Sequence, residues 1–423
     1  MPSDQLDKTK TRAWSHFTPK SGCLAYAYLL AVLAGSLLLS LLLHPPHDTQ
    51  HWLFDLVTST FSKRLNSQHQ SIVLVYVSAA TLPPDHYPYL SPIDRGLLAR
   101  LIGAIDDAEA KVIGFDIILD RPTVDEKDRA LRTALRHTNK AKIVLGAIDE
   151  PETGSHFQSE FFCAKGDGND PAIGHLYFDS HRASLVVSDH VIRFMAPSNE
   201  GARLSHGAQI HTSFAQALAQ AYGAQLRPEA PYIDWLLPPN VDIDWLLPPN
   251  VDKHFNPRPE YKAWVMPSRH EVDPFLTVPA EDVLAKLPPV SRLLRDRIVI
   301  IGVDFDDRDQ HLTPLSVRDD DFYTGAFIHA QILAQLLDGR SIHKMNSILE
   351  LFVAVAIGYA GYWVLRNSGH HHLWPELLVV LFLIIASLGL FVLFRVVLPY
   401  NLLLLFLLAG AAIGHYCRIH AES

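Results

Sequence analysis

Polar side chains that can bind a ligand stand at the ends of predicted strands and helices in this sequence. Asp116 follows an apolar strand segment, Asp309 follows another, and His329 lies near the start of a helix. The carboxyl ends of parallel strands line the ligand crevice of open α/β sheets, and a helix N-terminus favours anions. We therefore predict a ligand site whose candidate residues, in chain order, are Arg95, Asp116, Arg193, Asp309, His311, Thr313 and His329.

The residue types of this candidate site indicate binding rather than catalysis. Arg95 and Arg193 are the side chains that would pair with an anionic group of a ligand. The structural alternative is that the same residues cap helices, form Arg–Asp ion pairs and hold loops. Nucleophile elbows, phosphate loops and His-Glu-x-x-His pairs do not occur, and Asp304 to Asp309 lack the spacing of a calcium loop. The sequence thus predicts no catalytic residue, no metal site, no cofactor and no enzyme.

Alternating strands and helices must position these side chains. Continuous apolar runs predict strands at 72–77, 112–119, 143–147 and 297–303, and helical spacing predicts helices from Ser91, at 125–137, at 212–222 and at 327–337. Ser91 is the expected N-cap of the first helix with Pro92 after it, and Gly339 is expected to end the last helix. This order predicts an α/β domain with a mostly parallel sheet.

The middle of this domain carries one unusual feature, an identical tandem copy of ten residues. Residues 233–242 recur as 243–252, and two copies do not make a repeat architecture. We predict an insertion in a surface loop without a function, because lengthening a loop costs little free energy. Cys163 is the one cysteine between residues 44 and 344, so it can form no disulfide within that region. An unpaired loop cysteine and a bond between chains both stay open.

Apolar segments at the two ends of the chain predict membrane helices. Charged residues make up 19% of the sequence and hydrophobic residues 48%, and the apolar excess lies at the ends. The predicted spans are residues 23–43, 348–365, 377–394 and 402–417, each near the length that crosses a bilayer. Lysines and arginines within residues 1–22 place the N-terminus in the cytoplasm. Four crossings then put residues 44–344 outside the cytoplasm and the tail, residues 418–423, inside it.

Several ordered segments of the exported region resemble the type 2 CHASE domain, a sensory domain found outside the cytoplasm and associated with cyclases and histidine kinases. The resemblance covers roughly residues 65–345 and the arrangement of one membrane helix before and three after. It rests on residues 71–76, 87–89 with 93–95, 111–116 with Asp125 and Asp128, 188–193, 309–315, 328–331 and 337–340. The segments Asp309-Gln-His-Leu-Thr-Pro-Leu315 and Ile328-His-Ala-Gln331 are the most specific.

The resemblance implies a multi-pass sensory protein of a bacterial inner membrane, whose outer domain binds an unknown ligand or protein. Family members often continue into an output domain, whereas this sequence ends at Ser423, so we expect a separate cytoplasmic or membrane effector. A homo-oligomer is compatible with this interpretation. The net charge of −9 argues against nucleic acid as a partner. The alternatives are a docking subunit of a cell-envelope complex and, ranked last, an enzyme using Asp116, Asp309 and His311.

Overall fold

The computed structural model divides the chain into two compact units, Asp55–Ile342 and Met1–Phe54 with His343–Ser423. The residues that it describes are 47–65, 67–83, 91–119, 121–149, 161, 171–179, 191–195, 202–203, 209–226, 232–237, 273–304, 309–316, 322–367, 381, 385–386, 388–397 and 400–422. Cys163 and the segments 87–89 and 188–190 lie outside the described residues.

Helices and strands alternate through the first unit, as the sequence predicts. The helices of the chain are α1 (His47–Phe61), α2 (Arg95–Asp107), α3 (Asp125–Arg136), α4 (Phe214–Tyr222), α5 (Ala280–Leu284), α6 (Pro288–Leu294), α7 (Gly325–Asp338), α8 (Ser347–Asn367) and α9 (Tyr400–Glu422). The strands up to residue 210 are β1 (Lys63–Arg64), β2 (Ile72–Val77), β3 (Val112–Phe115), β4 (Lys142–Ala147), β5 (Ala172–His175), β6 (Phe178–Asp179), β7 (Phe194–Met195), β8 (Ala202–Arg203) and β9 (Gln209–Ile210). The later strands are β10 (Leu236–Leu237), β11 (Leu276–Pro279), β12 (Ile298–Val303), β13 (Gln310–His311), β14 (Tyr323–Thr324), β15 (His343–Lys344) and β16 (Val396–Val397).

The main sheet, over the described residues, has six strands in the order β11-β2-β12-β3-β4-β5, and every neighbouring pair is parallel. The prediction of a mostly parallel α/β domain is therefore confirmed. The position of β12 between β2 and β3 could not be read from the sequence, in which β12 follows β3 by more than a hundred residues. Two-stranded pairings, such as β13 with β14 and β6 with β7, lie outside this sheet.

Helices cover both faces of the sheet, because its strands present apolar side chains on both sides. In β2, Val73, Val75 and Val77 belong to one core, and Ile72 and Leu74 belong to the other. Helices α2, α3, α5 and α6 pack into the first core, and α4 and α7 pack into the second. Each fully buried aliphatic side chain contributes about 1.5–3 kcal/mol, so the two cores dominate the stability of this three-layer unit.

Helix α2 begins later than the sequence predicted. Asp94, rather than Ser91, is the N-cap, and its Oδ1 accepts a hydrogen bond of 2.8 Å from the backbone N–H of Leu97. The carboxylate satisfies a backbone donor that the first turn leaves without a helical partner. Gly339 ends α7 with a φ of 62°, as predicted, because glycine adopts the left-handed conformation without a steric penalty.

The start of the duplicated segment is core, so the prediction of a surface loop is wrong for the first copy. Trp235, Leu236 and Leu237 are buried, and β10 pairs with β1. The amide groups of Gln331 and Gln335 on α7 hydrogen-bond the backbone of residues 232–236 in both directions. These bonds replace the strand partner that the segment lacks on that side. The second copy lies outside the described residues.

Helices α8 and α9 of the second unit pack against each other through backbone contacts at glycines. A Cβ on Gly410 would overlap the carbonyl oxygen of Gly358, and one on Gly414 would overlap that of Tyr362. Small residues at such positions allow the close helix approach that is common in membranes. Among the described residues, one helix is long and apolar enough to cross a bilayer, over Ser347–Val364 of α8.

The remaining membrane predictions are only partly covered by the structure. The span predicted at 348–365 coincides with α8, and the one at 402–417 lies within the longer α9. The span predicted at 377–394 is described in part, and the one at 23–43 lies outside the described residues. The count of four crossings stays a prediction.

Candidate functional site

The sheet topology creates a crevice at the carboxyl end of β12. The chain leaves β3 towards α3 on one face of the sheet and leaves β12 towards α7 on the other face. Neighbouring strands whose connections diverge in this way leave a gap outside their carboxyl ends. The backbone N–H of Asp116 donates a hydrogen bond of 2.9 Å to the carbonyl of Ile301 in β12. Asp116 is thereby fixed at this gap, beside the chain that leaves β12.

Two carboxylates meet at the first residue of α7. Gly325 N–H donates to Asp309 Oδ2 over 3.3 Å. A Cβ on Gly325 would stand 2.6 Å from Asp309 Oδ1 and 3.2 Å from Asp116 Oδ2, so both side chains use the space that glycine leaves empty. Thr324 caps the helix by accepting a hydrogen bond from Phe327 N–H. The hydroxyls of Thr324 and Tyr76 are 2.7 Å apart, which ties the cap to β2.

One imidazole stands beside each carboxylate. His329 Nε2 lies 3.8 Å from Asp116 Oδ1, and His311 Nε2 lies 3.5 Å from Asp309 Oδ1. The Phe178 ring lies against both imidazoles, with ring centroids 4.5 Å from His329 and 5.6 Å from His311. The separation of 3.8 Å is too long for a hydrogen bond. Asp116, Asp309, His311 and His329 are called the carboxylate–imidazole cluster below.

Polar atoms of this cluster are buried without partners. Within the described residues, Asp116 Oδ2, both ring nitrogens of His329 and Nδ1 of the neighbouring His175 have no hydrogen-bond partner. The side chain of His329 is 2% exposed and that of Asp116 is 6% exposed. A buried polar atom without a partner costs about 1–3 kcal/mol. The cluster therefore weakens the fold, which is typical of residues kept for binding rather than for stability.

Burial controls the protonation of the cluster. Desolvation raises the pKa of Asp116 well above its usual range, and the nearby Asp309 carboxylate raises it further. Desolvation lowers the pKa of His329 to about 3, and the neighbouring His175 and His311 add to that shift. Burial likewise lowers the pKa of His175. Asp116, His329 and His175 thus resist charge, because burial removes the water that would stabilise their charged forms.

The described contacts of the two predicted arginines are structural and lie elsewhere. Arg193 donates from Nε and Nη2 to the two oxygens of Asp55 at 2.7 and 2.6 Å, and both side chains are buried. Arg95 Nε lies 3.9 Å from Asp128 Oδ1, and its Nη2 reaches the carbonyl of Arg121. Both arginines thus contact internal carboxylates, and the pairing of either with an anionic ligand stays a prediction. The two hydrogen bonds between Arg193 and Asp55 satisfy a buried guanidinium group and a buried carboxylate together.

Thr313 also has a local role. Its hydroxyl accepts a hydrogen bond of 3.2 Å from Leu315 N–H, and its own N–H donates to Ser316 Oγ over 3.0 Å. These bonds close a turn immediately after His311. Thr313 therefore stabilises the loop that carries Asp309 and His311. In the predicted site it positions these residues through the backbone.

Sequence reasoning missed three residues around the cluster. His175 ends β5, Phe178 forms β6 and Tyr76 lies near the end of β2. The stretch around His175 and Phe178 shows no strand periodicity, so nothing in the sequence placed it at the sheet edge. Tyr76 could have been predicted from the sequence, because it is the one polar side chain near the carboxyl end of an otherwise apolar strand.

Fold and site together define a three-layer α/β domain joined in sequence to a helix that is long and apolar enough to cross a membrane. A family model described as the CHASE2 domain matches residues 29–363, which is most of the chain. The chain belongs to the CHASE2 family of sensory extracellular domains, as the sequence motifs indicated. No curated protein and no solved structure gives a significant match.

Proposed function

We propose that this CHASE2 protein binds a ligand at the carboxylate–imidazole cluster and transmits the resulting change to its membrane helices. The observation that carries the proposal is a continuous set of contacts from the cluster to both ends of the domain, made by backbone pairing and by one buried ion pair. It runs through residues 191–195, called the connecting segment below. A receptor of this kind responds to a ligand only if the ligand prefers one of two arrangements of such a segment.

Near the cluster, the connecting segment contacts two elements: the loop that carries His311, and strand β6, which carries Phe178. Ile192 N–H donates a hydrogen bond of 2.8 Å to the carbonyl of Leu312, between His311 and Thr313. Met195 pairs with Phe178, whose ring lies against His311 and His329. A shift of either imidazole therefore acts on the backbone of the connecting segment.

The same segment is bonded to both linkers that lead towards the membrane. Arg193 holds Asp55 on α1, the helix that precedes the sheet. Phe194 is bridged to Tyr232, and Tyr232 is bridged to Ile342, which stands shortly before α8. The connecting segment thus contacts the entry of the domain directly and its exit through Tyr232. These contacts support transmission to the helices on either side of the domain and, beyond them, to an effector protein.

Hydrogen exchange on the full chain in lipid nanodiscs tests this transmission without a known ligand. The variant Asp309→Asn serves as the perturbation at the cluster. We expect it to change amide protection in residues 55–61 and 341–346 as well as around the cluster. In an Arg193→Lys background, which loses the two-pronged contact with Asp55, the change in residues 55–61 should disappear.

A matched control uses the ion pair between Lys127 and Asp94, which lies in the α2–α3 region. Lys127→Gln should leave the response of residues 55–61 to Asp309→Asn intact. Protection changes that stay confined to the neighbours of Asp309 would refute the transmission route.

The proposal places the domain outside the cytoplasm of a bacterial cell, with four membrane crossings and both termini inside. The match to a family of extracellular sensory domains and the positively charged residues before residue 23 support this orientation. Reporter fusions test it: a reporter inserted after residue 150 should be active only outside the cytoplasm, and one after residue 423 only inside. The reverse pattern would contradict the orientation while leaving the site untouched.

A further inference from the structure

We infer that a second ligand site lies at the amino end of the main sheet, where Lys111 and Arg297 bind the carboxylate or phosphate group of a small organic anion. The site is separate from the carboxylate–imidazole cluster, because Lys111 precedes β3 whereas Asp116 follows it. The inference goes beyond the proposed function and does not depend on it.

A cavity of about 580 Å³ provides the space for this ligand. It is lined by residues 65, 67–71, 111, 222–224 and 337–338 and is called the amino-end cavity below. Sites for small molecules usually enclose about 300–1,000 Å³, so the volume suits a small organic molecule. Ser67, Gln70 and Ser71 contribute hydroxyl and amide groups to the lining, which suit a polar ligand.

Lys111 supplies a positive charge that the fold leaves without a carboxylate partner. Its Nζ lies 4.1 Å from the centroid of the Tyr222 ring, which also lines the cavity. Within the part of the chain that the structure describes, Lys111 forms no ion pair. The cation–π contact therefore holds the ammonium group against one wall of the cavity, and its N–H donors stay available to an anionic group.

Arg297 is a second cation beside Lys111. The backbone N–H of Lys111 donates a hydrogen bond of 2.9 Å to the carbonyl of Arg297. Arg297 lines an adjoining cavity of about 340 Å³, which shares residues 67–70 with the amino-end cavity. Burial lowers the pKa of Arg297, and the nearby Tyr222 raises it. The guanidinium group is thus partly withdrawn from water and close to the ring that Lys111 covers, so an anion beside Tyr222 would compensate both cations.

Asp338 is the one carboxylate in the described lining of the two cavities, and its charge is already compensated. Arg340 Nε donates to this carboxylate over 3.0 Å, and His69 Nε2 lies 3.4 Å from it. Helices α4 and α7 also end here, and their carbonyl ends repel an anion. Lys111 and Arg297 are therefore the charges that attract a ligand, and they place its anionic group away from the end of α7.

Lysine acetylation of the full chain in phosphatidylcholine nanodiscs tests the site without any substitution. Citrate and inorganic phosphate are the probes, each compared with sodium chloride at the same ionic strength. Either probe should slow the acetylation of Lys111 severalfold, as measured by mass spectrometry. Lys142 is the internal control, because it begins β4 at the same end of the sheet and does not belong to the described lining of either cavity. Its acetylation should not change.

Calorimetric titration with citrate then assigns the two cations. Lys111→Gln and Arg297→Gln should each weaken binding at least about tenfold, because each removes a charge-assisted hydrogen bond. Lys142→Gln removes the same charge from the same end of the sheet and should leave the affinity unchanged. Thermal unfolding confirms that each variant is folded.

A lack of protection of Lys111 by both probes, or equal protection of Lys111 and Lys142, would overturn the anion site. Equal weakening of citrate binding by Lys142→Gln would also overturn it, because binding would then follow the total charge rather than the lining of the cavity. The hydrogen-exchange response to Asp309→Asn tests the carboxylate–imidazole cluster separately, so either site can fail while the other stands.

Discussion

Two Asp–His pairs stand at opposite edges of the same domain and differ in their surroundings. At the carboxyl edge, Asp116 and His329 are buried, 3.8 Å apart, and have atoms without partners among the described residues. At the amino edge, His69 hydrogen-bonds Asp338 over 3.4 Å, and Arg340 donates to the same carboxylate over 3.0 Å.

The amino-edge pair supports the fold, because each charge has a partner and part of it reaches water. The carboxyl-edge pair weakens the fold, and we propose that it binds a ligand. The neighbouring charges and the access of water thus give the same residue types opposite effects on stability. Removing one partner of a buried ion pair should therefore lower the free energy of unfolding strongly. Replacing a buried charged group that lacks a partner by a neutral one should lower it little or raise it.

The largest effect is expected where a fully partnered buried charge is removed. Arg193→Ala removes both guanidinium hydrogen bonds from the buried Asp55 carboxylate, and should lower the free energy of unfolding by about 3–5 kcal/mol. Denaturant unfolding of the full chain measures this loss. Arg295→Ala breaks an exposed 3.0 Å pair with Glu109 and should cost less than about 1 kcal/mol. Similar losses in both variants would remove the distinction between partnered buried charges and exposed ones.

The second effect tests the space that the two carboxylates occupy at the carboxyl edge. Gly325→Ala places a methyl group 2.6 Å from Asp309 Oδ1 and should cost about 1–3 kcal/mol through overpacking. Gly103 in α2 has open space around it, so Gly103→Ala should instead stabilise by up to about 1 kcal/mol. Opposite signs in thermal unfolding are the expected result. A neutral Gly325→Ala would show that the carboxylates do not need this space.

A smaller effect of the opposite sign is expected from Asp116→Asn. The amide keeps the shape of the side chain and removes the free-energy cost of desolvating a buried carboxyl group, so the protein should become more stable by about 1 kcal/mol. The same change at the amino edge, Asp338→Asn, should destabilise the protein, because His69 and Arg340 both lose this carboxylate as a partner. Destabilisation by both substitutions would mean that Asp116 supports the fold.

The smallest effect is the pH dependence of the amino-edge pair. Burial alone would raise the pKa of Asp338, but the hydrogen bond from His69 and the charge of Arg340 lower it to about 2. A carboxyl with a lowered folded pKa stabilises the protein above its ordinary pKa of 3.8, and this contribution is lost as pH falls from about 4 towards 2. Because solvent screens this partly exposed group, the loss should be below about 1 kcal/mol.

Denaturant unfolding at several pH values detects this loss as a difference between the original chain and Asp338→Asn. The two stability curves should converge as the pH approaches 2. Parallel curves over that range would show that the pair does not contribute through the charge of Asp338.

The sequence by itself determined four of the six strands of the main sheet, most helices, the parallel sheet and the four residues that meet in the carboxylate–imidazole cluster. Asp116, Asp309, His311 and His329 were predictable because they follow strands or lie near the start of a helix, and local apolar patterns reveal those positions. The helix start at Asp94 was missed because Ser91 and Pro92 give an equally good local capping signal. Local sequence patterns of this kind indicate the secondary structure of a segment, but they do not indicate which other segments it contacts.

Only the tertiary structure decided which side chains contact one another. The insertion of β12 between β2 and β3 brings Asp309 close to Asp116, and the guanidinium group of Arg193 binds the Asp55 carboxylate. Residues 233–237, the described start of the duplicated segment, became core, and Gln331 and Gln335 bind their backbone. The physical reason is common to all three: desolvation makes a buried polar group depend on its neighbours in space, and those neighbours are distant in sequence.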